Sequence, residues 1–157
     1  MASPLPCLIP DWPGLPANVG ALVTVRAGGV SQGPYGDGQG GGGLNLGTHV
    51  GDDPAHVAAN RARLAAILPA EPAWLSQVHG AATANLDAIE PGARPVADAA
   101  ATSVAGRVAV VLTADCLPVF LARDDGARVA VAHAGWRGLA AGVLESAVAA
   151  LGGDASR

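Results

Sequence analysis

Short apolar runs broken by glycine and proline dominate this chain, and only two stretches keep a helical period. Residues 21–26 form a β-branched run closed by Gly28 and Gly29, which predicts a strand, a turn and Arg26 at the strand end. Residues 33–43 are rich in glycine and predict a surface loop. Asp52, Asp53 and Pro54 then supply a cap and a first-turn proline, and good helix formers run to Leu68 before Pro69 stops them. Residues 74–78 predict a strand leading to His79, with 81–86 continuing it beyond Gly80, and Asp98 is expected to cap a short helical turn through Thr102. The strongest β signal lies at 108–113; 118–122, a turn at 124–127 and 128–133 follow, suggesting a hairpin beside a buried strand. Leu139, Val143, Leu144, Val148 and Leu151 recur at helical spacing, with Gly152 and Gly153 as the stop.

Strands and helices mix here without a regular βαβ alternation, so the expected class is α+β. A chain of 157 residues suits one domain with one core, residues 1–157. Half of the residues are hydrophobic and only 3% are aromatic, so that core must be built from Ala, Val and Leu. Net charge is −4 and the nine cations are spread singly, which argues against a nucleic-acid partner. All nine are Arg, and the absence of Lys removes Schiff-base chemistry, the P-loop lysine and Ser-Lys dyads. The N-terminus has no charged region and carries three prolines among its apolar residues, unlike a signal peptide, and no apolar run is long enough to span a membrane. The expected address is therefore the cytoplasm, with Cys7 and Cys116 as reduced thiols.

The scarce chemistry concentrates in three places. His79, Cys116 and His133 each follow a predicted β segment and are flanked by Gly, Asp or Pro, where side chains converge at the end of a sheet. Two nitrogens and one sulfur leave a tetrahedral zinc one open position, the arrangement of catalytic rather than structural sites. A metal there would bind the thiolate of Cys116 and lower the pKa of its water toward ~7. Asp115, beside the thiol, is a candidate general base or ligand orienter, or a turn residue. Arg26 and Arg137 would suit an anion, and Asn45 would fix a substrate or make an Asx turn. His49 is undecided and His56 reads as helix surface. The glycines at 36, 38 and 41 match a dinucleotide fingerprint only formally, because no predicted strand immediately precedes them and no helix starts at their end.

The segments TVRAGGVS (24–31), LNLGTHVGDDP (44–54), WLSQVHG (74–80), DAAAT (98–102), LTADCLP (112–118) and AHAGWRG (132–138), with Asn60 and Arg61, closely resemble the laccase-domain family. This family is also known as multicopper polyphenol oxidase, peptidoglycan editing factor and purine nucleoside phosphorylase. The resemblance implies a four-layer α/β/β/α sandwich with mixed sheets, related to a bacterial toxin deamidase domain. It implies His79, Cys116 and His133 as metal ligands and Arg26 as a phosphate or substrate contact. Implied activities are phosphorolysis of adenosine, inosine and methylthioadenosine, and adenosine deamination. The glycine tract at 36–43 is longer than the usual connection. Members usually continue well beyond the last helix predicted here, so the C-terminal part of the family fold is expected to be missing.

Ligand counting separates the functions this resemblance offers. Four histidines are too few for a multicopper cluster, and a blue-copper site lacks its axial Met because the only Met is Met1. Zinc suits both the ligands and the phosphorolytic or hydrolytic chemistry, so the leading expectation is a zinc-dependent purine nucleoside phosphorylase with possible adenosine deaminase activity. Asp115, Arg26 and Asn45 are its candidate catalytic residues. Its partners are nucleosides and phosphate, with no membrane or nucleic acid, and oligomeric state is left open. The alternatives are a metal-independent cysteine hydrolase or deamidase using Cys116 and His133, a polyphenol oxidase, an editor of peptidoglycan precursors, and a non-catalytic module stapled by zinc.

Overall fold

The computed structural model describes residues 5–152, so Gly153 and the first four residues of the N-terminal segment lie outside the described residues. Helices and strands mix without βαβ alternation, as expected of an α+β chain. Where the sequence suggests one core, contacts group the described residues into two compact units: 5–11 with 21–69, and 12–20 with 70–152.

In the first unit, β1 (Cys7–Leu8) pairs antiparallel with β2 (Val23–Thr24), and β3 (Ala27–Ser31) follows directly. The turn expected at Gly28 and Gly29 is therefore strand. The cause is close approach: a Cβ at Gly29 would lie 2.1 Å from the Gly43 carbonyl oxygen and 2.5 Å from Asn60 Oδ1, so only glycine lets both reach β3. Gly43 bridges Ala27 and Ser31, which closes the glycine-rich loop back onto that strand. Helix α1 (Pro54–Ala65) begins as predicted, with the Asp53 carboxylate accepting from Ala55 N–H at 2.8 Å. It ends before Leu68 because the last residues tighten into turns, Ile67 N–H to Leu64 C=O and Leu68 N–H to Ala65 C=O.

The second unit is built on a mixed four-stranded sheet ordered β5 (Thr83–Asn85), β6 (Ala99–Thr102), β9 (Val129–Ala134), β8 (Leu117–Ala122). β5 and β6 run parallel, and the other two pairings are antiparallel. The expected hairpin is β8–β9, and Pro118, which has no N–H to donate, is tolerated because β8 is an edge strand. The buried strand beside the hairpin is β6, where a helical turn was expected from 98–102. All four β6 residues are buried: Ala99 packs toward Val143 and Ala147, and Ala100 toward Leu75 and Leu86 on the opposite face. Covering both faces outweighs the helix propensity of three alanines.

Residues 74–78 and 108–113 form less strand than predicted. A separate parallel pair, β4 (Pro72–Ala73) with β7 (Val108–Ala109), accounts for the regular part. Beyond it the Gln77 amide takes over the role of a ladder, donating to Leu112 C=O at 2.8 Å and accepting from Leu112 N–H at 2.7 Å. The final helical stretch divides into α2 (Trp136–Ala141) and α3 (Val143–Ala150), because Gly142 adopts a left-handed conformation with φ 91°. α3 lies on the sheet through Val143 and Ala147. Among the described residues, no helix is long and apolar enough to cross a membrane.

Candidate metal centre

His79, Cys116 and His133 converge within the second unit from three different elements. His133 is the penultimate residue of β9, Cys116 immediately precedes β8, and His79 sits in a bend before β5. One ligand atom from each lies within 4.8 Å of the others, and the two imidazole rings meet edge-on at 4.7 Å between centroids. Burial grades across the group: His133 is buried, Cys116 is partly exposed and His79 is exposed. One side of the trio therefore faces solvent.

The donor set suits a zinc ion, whose bonds of ~2.0–2.3 Å would draw two nitrogens and a sulfur to a mutual spacing of about 3.5 Å. Room for that geometry is built into the backbone at Gly135. A Cβ there would stand 2.7 Å from Cys116 Sγ and 3.4 Å from His79 Cδ2, so any larger residue would push the thiol out of place.

Asp98 supports two of the three residues. Its carboxylate accepts from the backbone N–H groups of Val78 at 3.1 Å, His79 at 2.9 Å and Gly80 at 2.7 Å. It also lies 2.9 Å from His133 Nδ1, while the Asp98 carbonyl accepts from His133 N–H at 2.7 Å. Burial pushes this carboxyl up, but the bonds from His133, Gly80, Val78 and His79 outweigh burial and hold it below the ordinary value of 3.8. The sequence reading places Asp98 at a helix cap and misses this role. One signal was present, because Asp98 is the only carboxylate between Glu90 and Asp115 and stands in an apolar run, where a buried acid must find several donors.

Two of the remaining candidates, Asp115 and Arg137, lie in the second unit with the trio. Asp115 is exposed beside Cys116 in the second unit, and the carboxylate that touches His133 is Asp98. Arg137 is exposed, its guanidinium 5.3 Å from the centroid of the Trp136 ring, and Trp136 is itself 76% exposed. Arg26 and Asn45 belong to the first unit. Arg26 donates to the carbonyls of Gly36 at 2.6 Å and Pro34 at 2.7 Å, fastening the glycine-rich loop. Asn45 accepts from Gly47 N–H at 3.0 Å, which is the Asx turn, and donates to Asp52 at 2.9 Å. No helix starts at the end of the glycines at 36, 38 and 41, so the nucleotide-loop context is absent there. His56 lies on α1, 4.0 Å from Asp52.

Residues 20–156 match the family described as multi-copper polyphenol oxidoreductase laccase. The chain belongs to this family. Among curated laccase-family relatives, a purine nucleoside phosphorylase of Pseudomonas aeruginosa is 50% identical over 145 residues, covering 92% of this chain and 56% of the relative. The purine nucleoside phosphorylase YfiH of Escherichia coli is 50% identical over 143 residues, covering 90% and 56%. Among solved structures, Neisseria meningitidis protein NMB0706 superposes with a TM-score of 0.79 at 46% identity, covering 92% of this chain and 57% of that one. YlmD from Geobacillus stearothermophilus gives 0.73 at 35% identity, covering 87% and 52%. The chain thus spans about half the length of the laccase-family proteins it matches.

Proposed function

We propose that the chain is the metal-binding part of a purine nucleoside phosphorylase, acting on adenosine, inosine and methylthioadenosine with phosphate, with zinc held by His79, Cys116 and His133. The observation that carries this reading is the convergence of two imidazoles and a thiol within 4.8 Å, in a chain half identical to proteins named for that activity. A bound zinc would supply Lewis acidity and an activated water at the open side of the trio. His133 stays fixed by Asp98, while the exposed His79 and partly exposed Cys116 present the solvent-facing edge. Asp115 is the proposed proton carrier, reaching solvent next to Cys116. Arg26 and Asn45 are proposed substrate contacts of the whole protein. Adenosine deamination is a proposed side activity of the same centre.

The test couples metal analysis of purified protein to product identification by mass spectrometry, with adenosine or inosine and with or without phosphate. The expected result is one zinc per chain and phosphate-dependent release of free base with ribose-1-phosphate. Cys116→Ala should lose both the zinc and more than about 100-fold of the turnover. Inosine as the only product from adenosine would replace phosphorolysis with deamination. Retained zinc with no product from either nucleoside would favour a stapled, non-catalytic module.

A second reading has one specific observation behind it. Cys116, His133 and Asp98 are in the order of a nucleophile, its base and the carboxylate that orients the base, which suits a metal-independent cysteine hydrolase or deamidase. Alkylation separates the two readings. A thiol at Cys116 that zinc protects and a chelator exposes supports the metal centre; equal labelling in both states supports the hydrolase.

A further inference from the structure

We infer that Asp98 is a positioning residue that sets two of the three ligand groups at once, the backbone of His79 and the ring tautomer of His133. The inference rests on reading the trio as a metal centre. It adds that the centre is organised in advance by one carboxylate.

His79 is the only non-glycine among the described residues with positive φ, at 60°. That conformation is unfavourable for a residue with a Cβ, and something must hold it. The holding group is the Asp98 carboxylate, around which three successive N–H groups, those of Val78, His79 and Gly80, curl into an anion nest. The nest therefore fixes the direction in which His79 leaves the chain.

The same three donors decide the state of the His133 ring. They engage both carboxylate oxygens, Oδ1 from His79 and Oδ2 from Val78 and Gly80, so the carboxylate meets His133 as an acceptor. At 2.9 Å from Oδ1, His133 Nδ1 must then be the donor. Its proton is placed on Nδ1 and its lone pair on Nε2, the nitrogen left to face the metal.

An amide cannot do both tasks. In Asp98→Asn, an NH2 turned toward His79 and His133 opposes the His79 N–H and draws the lone pair of His133 to Nδ1. Turned the other way, it opposes the N–H groups of Val78 and Gly80 and opens the nest. Either orientation spoils one ligand.

Two measurements test this. In metal-free wild-type protein with neutral imidazoles, nitrogen-15 spectra of the histidine rings should place the His133 proton on Nδ1; a proton on Nε2 overturns the inference, and this readout stands even if Asp98→Asn fails to fold. In zinc competition against a chromophoric chelator, folded Asp98→Asn should bind about 10–100-fold more weakly than wild type. Asp87→Asn is the control for a merely structural carboxylate. Asp87 accepts from Thr102 Oγ1 at 2.6 Å and from Ser103 Oγ at 2.6 Å, at the end of β6, and its hydrogen-bond partners are not ligand residues. Its amide should lose stability and keep zinc affinity. Wild-type affinity in Asp98→Asn, or an equal loss in Asp87→Asn, overturns the inference. None of these readouts uses nucleoside turnover, so failure of the phosphorylase reading is seen separately.

Discussion

Asp52 in the first unit and Asp98 in the second are both carboxylates gathered in by several donors, and they lead to different ends. Asp52 accepts from Ser31 Oγ at 2.6 Å, Asn45 Nδ2 at 2.9 Å and Asp53 N–H at 2.8 Å. Ser31 and Asn45 are tied in turn to the fully buried Asn60, whose amide also accepts from Val30 N–H at 2.8 Å and donates to Gly43 C=O at 3.1 Å. This network is closed, because its side chains spend their polar atoms on one another and on the backbone. The Asp98 network is open. Its partners are a backbone nest and an imidazole, and each leads to a histidine ring with a nitrogen that Asp98 does not engage. Buried hydrogen bonding alone therefore does not mark a site; what matters is whether the groups it orients keep a reactive atom.

The largest effect expected from breaking this contrast falls on the closed network. Asn60→Ala removes the partner of Val30 N–H and of two loop carbonyls in a buried place, and should destabilise the protein by about 3 kcal/mol in urea unfolding. Zinc affinity of the folded protein should be unchanged. A loss under about 1 kcal/mol would show that the network does not hold β3, the loop and α1 together. The next effect falls on the open site. Gly135→Ala is free of backbone strain, with φ −75°, yet places its methyl against Cys116 Sγ. Zinc affinity should fall about tenfold, while metal-free stability moves by about 1 kcal/mol. Unaltered zinc binding would mean that the thiol is not where the metal needs it.

The parts of the molecule legible in the sequence are those whose cause is local or rare. Asp53 and Pro54 announce the start of α1, the turn at 124–127 announces the β8–β9 hairpin, and His79, Cys116 and His133 stand out in a chain with four His and two Cys. The parts not legible depend on partners distant in the chain. Three alanines after an aspartate look like a capped helix, and only covering on both faces makes them a central strand. Gly28 and Gly29 look like a turn until Gly43 and Asn60 arrive beside Gly29. The strand expected at 108–113 stops short because the side chain of Gln77, 35 positions earlier, satisfies Leu112 on both its backbone groups. Asp98 was hidden for the same reason, since its four donors lie 18 to 35 residues away.

The smallest expected effect concerns acid, and it compares the units through two carboxylates whose hydrogen-bond partners lie outside the trio of His79, Cys116 and His133. Burial pushes Asp52 up, but the hydrogen bonds from Ser31, Asn45 and Asp53 and the nearby His56 hold it below its ordinary 3.8. Burial likewise pushes Asp87 up, and Ser103, Thr102 and the charge of Arg128 hold it below the same value. A folded-state pKa below the unfolded one means that the unfolded chain binds more protons in that window, so stability rises with pH there. Each carboxylate therefore contributes stability that is complete above the ordinary carboxylate range and is lost as pH falls through the depressed folded value. Unfolding of the metal-free protein by urea across that range should show a shallower acid limb for both Asp52→Asn and Asp87→Asn. A limb as steep in Asp52→Asn as in wild type would mean that the closed network stabilises without its charge, leaving shape and hydrogen-bond count as its whole contribution.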